Sequence, residues 1–156
     1  MKKLKVFTNK TAVKRAFPNG ISKLEIGSGN NPENGYVHLD IQRGLPKLDI
    51  LSDVRKMPIP NNFVTDHVRA VHIMEHFCHP KYAGKDLIKK YGTTTDVLSE
   101  VYRILKPGGK FLIVTPDIRK ISSSISKRKI DDGWTQRWLV GGHNDESLAL
   151  VKRRRV

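Results

Sequence analysis

The stretch Lys23-Leu24-Glu25-Ile26-Gly27-Ser28-Gly29-Asn30-Asn31 constrains this chain more than any other. The apolar run from Leu24 to Ile26 ends in Gly27-Ser28-Gly29, which reads as a buried strand entering a tight loop poor in side chains. Glycines there reach backbone angles that other residues avoid, and let a ligand touch the chain. In open α/β sheets the ligand crevice lies beyond the carboxyl ends of the strands. The loop is therefore expected to floor a binding site, with Glu25 at its edge. A Gly-x-Gly pair alone is equally a bland turn, so the segments that follow decide.

Two more apolar runs follow, and each leads to an acid. Tyr36-Val37-His38-Leu39 ends in Asp40, and Leu48-Asp49-Ile50-Leu51 leads to Asp53. Three successive strands that each deliver a carboxylate suit an adenosine-bearing ligand, whose hydroxyls and amino group donate hydrogen bonds. A fourth strand is expected over residues 66–71, at the centre of the sheet, running into His72-Ile73-Met74-Glu75-His76-Phe77. Between Gly29 and Gly35 only Asn30 to Asn34 intervene, Pro32 among them, too few residues for the helical crossover that normally joins parallel strands. The first helix must shrink to a turn. A dinucleotide fingerprint wants Gly-x-Gly-x-x-Gly opening a helix, and Pro32 stands where its third glycine belongs. A phosphate also wants a helix amino terminus.

Taken in order, and followed by Val97 to Val114 with its Leu105-Lys106-Pro107-Gly108-Gly109, these motifs resemble the class I S-adenosylmethionine-dependent methyltransferases, in the branch of small-molecule and sugar-type enzymes. The resemblance covers about residues 23–116, with a weaker echo to Trp138. It implies an α/β, Rossmann-like fold. The sheet would be mostly parallel, of five or six strands with helices on both faces, its final strands missing or reduced. It implies S-adenosyl-L-methionine as cofactor, with the methionine moiety at Glu25, Gly27, Ser28, Gly29 and Asn30. The ribose hydroxyls fall to Asp40, with Ile41 against the adenine. The adenine amino group falls to Asp53 beside Val54, and His72 lies near the methyl donor. Members of this family usually close the sheet with a sixth and a seventh strand. Here only Leu148 to Val151 reads as a late strand, so an open edge is expected, to be met by a partner, a second copy, a helix or the charge of Lys152 to Arg155.

The 156 residues suit one domain. It is read as a basic lead-in over 1–22, one helical turn or an extended arm, then a cofactor-binding core over 23–117 and a substrate-side segment over 118–156. The formal net charge is +14, and it sits at the ends: +6 over residues 1–20, +2 over 21–118 and +6 over 119–156. Basic ends read first as solvated tails, and they leave nucleic acid open without favouring it. No interleaving of aromatic and basic residues suggests base stacking. Cys78 is the sole cysteine, which excludes an internal disulfide and fits a reducing, cytoplasmic setting. No run is long enough to span a bilayer.

His72-Ile73-Met74-Glu75-His76 has the His-x-x-Glu-His spacing of inverted zinc proteases, with Cys78 and His79 nearby. That chemistry needs a long helix, whereas here a strand comes directly before and Pro80 soon after, so no metal is expected. Glu75 and His76 read as opening a short helix. A helix is predicted from Lys85 to Tyr91. A second is capped by Thr95 or Asp96, with Glu100 completing a capping box. Its stripe is Val97, Val101, Ile104 and Leu105. Phe111 to Val114 is then predicted as a buried fifth strand, and Thr115-Pro116-Asp117 as a loop facing substrate. Ile118 to Ile130 is helix-compatible. Trp134 and Trp138 read as helix packing, with Arg137 between them a weaker grip for an anion.

The leading reading is methyl transfer from S-adenosyl-L-methionine to an oxygen or nitrogen of a small molecule. Candidate general bases are His72, Glu75, Asp117 and His143, unranked by sequence. The alternative is a non-catalytic S-adenosyl-L-methionine-binding module, or a shortened relative acting with a partner. A nucleic-acid methyltransferase is weaker, because no Asn-Pro-Pro-Tyr-type motif is present.

Overall fold

The computed structural model describes residues 6–127. The expectations for Trp134, Arg137, Trp138, His143 and the strand Leu148 to Val151 lie outside the described residues. The chain forms two compact units, Met1–Thr115 and Pro116–Val156.

The first unit is built on a wholly parallel sheet: β1 (Ile21–Ile26), β2 (Val37–Asp40), β3 (Ile50–Leu51), β4 (Val64–Val71) and β5 (Lys110–Val114). Their order is β3-β2-β1-β4-β5, the Rossmann-like arrangement in which the chain reverses direction across the sheet between β1 and β4. The central strand is therefore β1, not β4 as the sequence suggested. The lead-in is also more ordered than expected. It forms α1 (Lys10–Ala16), capped by Asn9, whose Oδ1 accepts from Ala12 N at 2.9 Å, and it buries Val13 completely. Phe7 then extends the sheet edge by pairing beside Ile50.

Strand register separates two chemically different sheet faces. Leu24 and Ile26 align with Val68 and Ala70, and with Leu39 and Ile50 they form the apolar core. The opposite face aligns Lys23 and Glu25 with His67, Arg69 and His38. Parallel strands are ordinarily apolar on both faces because crossover helices cover both. Between β1 and β2 there is no helix, as the short spacing predicted. The connecting loop folds its own polar groups onto this face: Glu33 meets Glu25 and Arg69, and Tyr36 bonds His67. A polar sheet face follows because its cover is a loop that offers amides and a carboxylate.

The β4–β5 connection carries a 3-10 turn (Met74–His76), α2 (Lys85–Tyr91) and α3 (Thr94–Ile104). The cap of α3 differs from expectation. Thr93 is the N-cap, Asp96 closes the capping box, and Glu100 is engaged elsewhere. Thr93 wins because its hydroxyl reaches the Asp96 amide three residues on, where the box geometry requires it. The stripe Val97, Val101 and Ile104 is buried as predicted, each side chain contributing roughly 2 kcal/mol. Glu100 instead accepts from Met57 N and pairs with Arg103, whose guanidinium also donates to the carbonyls of Met57 and Ile59. This clamps α3 to the loop before β4. Burial of β5 is overturned: Leu112, Ile113 and Val114 are 47%, 43% and 38% exposed. The reason is position, since among the described residues β5 is the edge of the sheet and pairs with β4 alone.

In the second unit, α4 (Ile118–Ser126) follows Asp117. Among the described residues no helix is long and apolar enough to cross a membrane.

Candidate cofactor crevice

The crevice is assembled at the carboxyl ends of β1 and β4, where the direction of winding changes. Beyond β1, Gly27 and Gly29 adopt φ of +65° and +56°, a left-handed conformation that costs glycine little. Gly27 N donates to Leu39 O at 2.8 Å, which ties the bend to β2. A side chain at Gly27 would collide with Ile73, whose Cδ1 lies 2.3 Å from where a Cβ would stand. The two strand ends therefore interlock. At Gly29 a Cβ would meet nothing within 4 Å, so that part of the loop borders open space.

Beyond β4 comes His72, the residue expected near the methyl donor. Its φ is +53°, unusual for a residue with a side chain. Its amide donates to Val114 O at 2.9 Å, fixing its backbone to β5. His72 Nδ1 lies 3.3 Å from Glu75 Oε1. Among the described residues, two polar atoms of the crevice are buried without a hydrogen-bond partner, Ser28 Oγ and Glu75 Oε2. Buried polar groups are nearly always paired, so these two, like His38 Nδ1 in the sheet face, are open to a further hydrogen bond from water or a ligand.

Two of the three predicted carboxylates, Asp40 at the end of β2 and Asp53 after β3, come to the carboxyl edge, with different duties. Asp40 follows Leu39 at the end of β2; its Oδ2 accepts from Gly29 N at 3.0 Å and its Oδ1 from Gln42 N at 2.9 Å. It thus links the glycine bend to the second strand. Ile41, next to it, is 68% exposed, an apolar platform at the rim. Asp53 is held by Arg55, which donates Nε at 3.0 Å and Nη2 at 2.5 Å. That hydrogen bond, ahead of the burial opposing it, holds the Asp53 carboxyl below its ordinary value. Val54 beside it is buried.

Glu25 departs from expectation. Its carboxylate does not rim the crevice. It is buried in the polar sheet face, where Arg69 Nη1 reaches Oε1, Glu33 N donates to Oε2 at 2.9 Å and His38 Nδ1 stands 3.3 Å from Oε2. Arg69 also approaches Glu33 at 3.3 Å and lies over the Tyr36 ring. Glu25 thereby anchors the loop from inside. Sequence reading missed this network, although one signal was present: Lys23, Glu25, His38, His67 and Arg69 all recur at alternate positions of strands expected to be apolar.

Asp117 belongs to the second unit, where its Oδ1 accepts from Arg119 N and Lys120 N at 3.0 and 3.1 Å, capping the start of α4. His72 precedes the 3-10 turn and His76 ends it, so the two sit on no long helix. Among the described residues no group of three His, Cys, Asp or Glu is placed to hold a metal ion. Asn30 lies in the turn following Gly29.

No protein-family profile and no curated protein matches the chain. A solved structure from Methanococcus maripaludis, of a protein provisionally named an S-adenosyl-L-methionine-dependent methyltransferase, is similar at 19% identity and a TM-score of 0.40. The similarity covers 92% of this chain and 70% of that one.

Proposed function

We propose that this protein binds S-adenosyl-L-methionine at the β1/β4 crevice and transfers its methyl group to an oxygen or nitrogen of a small molecule. One observation carries the reading: the glycine bend after β1 and His72 after β4 adjoin at the switch point, interlocked through Gly27 and Ile73. The donor supplies the reactive sulfonium methyl. The chain's task is to hold and align it, an entropic contribution.

In this reading Gly27, Ser28, Gly29 and Asn30 receive the amino-acid end, with Ser28 Oγ offering an unused hydroxyl. Asp40 accepts from the ribose hydroxyls while keeping Gly29 in place, and Ile41 covers the adenine. Asp53 shares its carboxylate with Arg55, so the base is read mainly through the backbone at Val54. Glu25 acts on the ligand through the loop it anchors. The short β1–β2 connection favours this donor over a dinucleotide, which would need a helix start for its phosphates.

Calorimetric titration with S-adenosylhomocysteine tests the proposal. Saturable binding in the micromolar range is expected. Asp40→Ala should weaken it by at least tenfold, about 1.4 kcal/mol. Absence of binding to the full chain refutes the reading. Transfer of radiolabelled methyl groups to low-molecular-weight acceptors then separates an enzyme from a binding module.

A further inference from the structure

We infer that the excursion over residues 79–91, between the 3-10 turn and α3, is a docking surface for single-stranded nucleic acid. The inference goes beyond the donor reading and does not depend on it.

The excursion leaves and re-enters the fold through a narrow neck. Cys78 N donates to Gly92 O at 3.0 Å, and Thr94 N to Cys78 O at 3.1 Å. A side chain at Gly92 would collide with Arg55, which in turn holds Asp53. The neck therefore stands at the carboxyl edge of the sheet. Beyond it, no residue from His79 to Tyr91 is buried, so packing explains little of this segment's composition.

That composition points to a polyanion. The segment carries Lys81, Lys85, Lys89 and Lys90 against Asp86 alone, a net of +3. Residues 21–118 together carry only +2, so the whole positive excess of the core is collected here. Lys85 and Lys89 stand four apart on α2 and share one side of it.

The rings select the kind of polyanion. Residues 79–82 form a turn in which Tyr82 N donates to His79 O at 3.2 Å. The turn stacks the rings of His79 and Tyr82, with centroids 4.7 Å apart and planes at 27°. Lys81 N donates to His79 Nδ1 at 3.2 Å, which holds the imidazole in place. Lys81 Nζ lies 5.3 Å from the centre of the Tyr82 ring, and Tyr82 is 76% exposed. Unpaired bases stack on aromatic rings while neighbouring ammonium groups take the phosphates. A duplex keeps its base faces covered. An anionic membrane would use the charge and not the stack, and α2 exposes Leu87 alone of its large apolar side chains. The sequence showed no such interleaving because the two rings lie three residues apart and meet only through the turn.

Fluorescence anisotropy of the full chain with a labelled oligouridine of about twelve nucleotides tests the inference. The basic ends also attract phosphates, so the readout is the difference between variants. Tyr82→Ala should weaken oligouridine binding by at least about fivefold, the loss of one stacked base, and leave binding of an equally long duplex unchanged. Tyr82→Phe keeps the ring and should bind like the native chain. Lys81→Gln, Lys85→Gln and Lys89→Gln together should flatten the slope of log affinity against log salt by about 2, the share of three phosphates. None of these side chains is buried, so each variant should melt at the native temperature. The inference is overturned if Tyr82→Ala binds oligouridine like the native chain, if the duplex loses as much as the single strand, or if the triple lysine variant keeps the native salt slope. It is also overturned if that variant keeps its oligouridine affinity and loses binding to phosphatidylserine vesicles, which assigns the surface to a membrane.

Discussion

Replacing Arg69 by methionine keeps the aliphatic stem and removes the charge facing Glu25. The Glu25 side chain is 5% exposed and that of Arg69 20%, so little water can take the guanidinium's place. Breaking a buried pair from one side costs about 3–5 kcal/mol, because the other charge is left uncompensated. Glu25 keeps the Glu33 amide and the neighbouring His38, which puts the expected loss near the lower figure, about 3 kcal/mol. At a urea m-value of about 2 kcal/mol/M this lowers the unfolding midpoint by about 1.5 M. Adding Glu25→Gln removes the stranded charge and preserves an acceptor for the Glu33 amide. The double variant should recover more than half of the loss, since a buried pair replaced at both ends is often near neutral. An Arg69→Met variant that unfolds within about 0.25 M of the native midpoint refutes this account of the pair, and so does a double variant no more stable than the single one.

Gly27→Ala should cost about 2–4 kcal/mol, from the left-handed φ and the overlap with Ile73. It should also abolish S-adenosylhomocysteine binding; Ile73→Ala in the same background should relieve the overlap alone, seen by thermal unfolding. The hydrogen bond from Arg103 holds the Glu100 carboxyl below its ordinary value. A depressed folded-state value gives stability that is present at neutral pH and lost as pH falls through the carboxylate range. Glu100→Gln should therefore be less stable than the native chain at neutral pH, and should lose less between about pH 5 and 3. Asp53 and Asp96 have the same sign, through Arg55 and Thr93 respectively, so these carboxylates should also add to acid sensitivity.

The first three strands were legible because each apolar run led to a glycine or an acid, and a chain so punctuated has few parallel arrangements. The missing first helix was legible from spacing alone, since Asn30 to Asn34 cannot span a helical crossover. Two things were not. The direction of the Glu25 carboxylate depends on Arg69, 44 residues away, and no local pattern names a partner at that distance. The exposure of β5 depends on what lies beside it in the sheet. Phe111-Leu112-Ile113-Val114 reads the same at an edge as in the interior, because composition records apolar character and not neighbours. The cap of α3 was missed by two or three residues, as helix ends often are, since Thr93, Thr94 and Thr95 offer three competing hydroxyls.

The pairing of β1 with β4 also bears on how the protein comes into being. Ile26 and Ala70 are neighbours in the finished sheet but are emitted far apart during synthesis. Closing so long a loop costs on the order of 3 kcal/mol of chain entropy before any contact repays it. The glycine bend and the histidine therefore meet only once that loop has closed. Any molecule that grips both halves will act as a clasp on a nearly finished fold, and its presence during refolding should raise the yield of native protein.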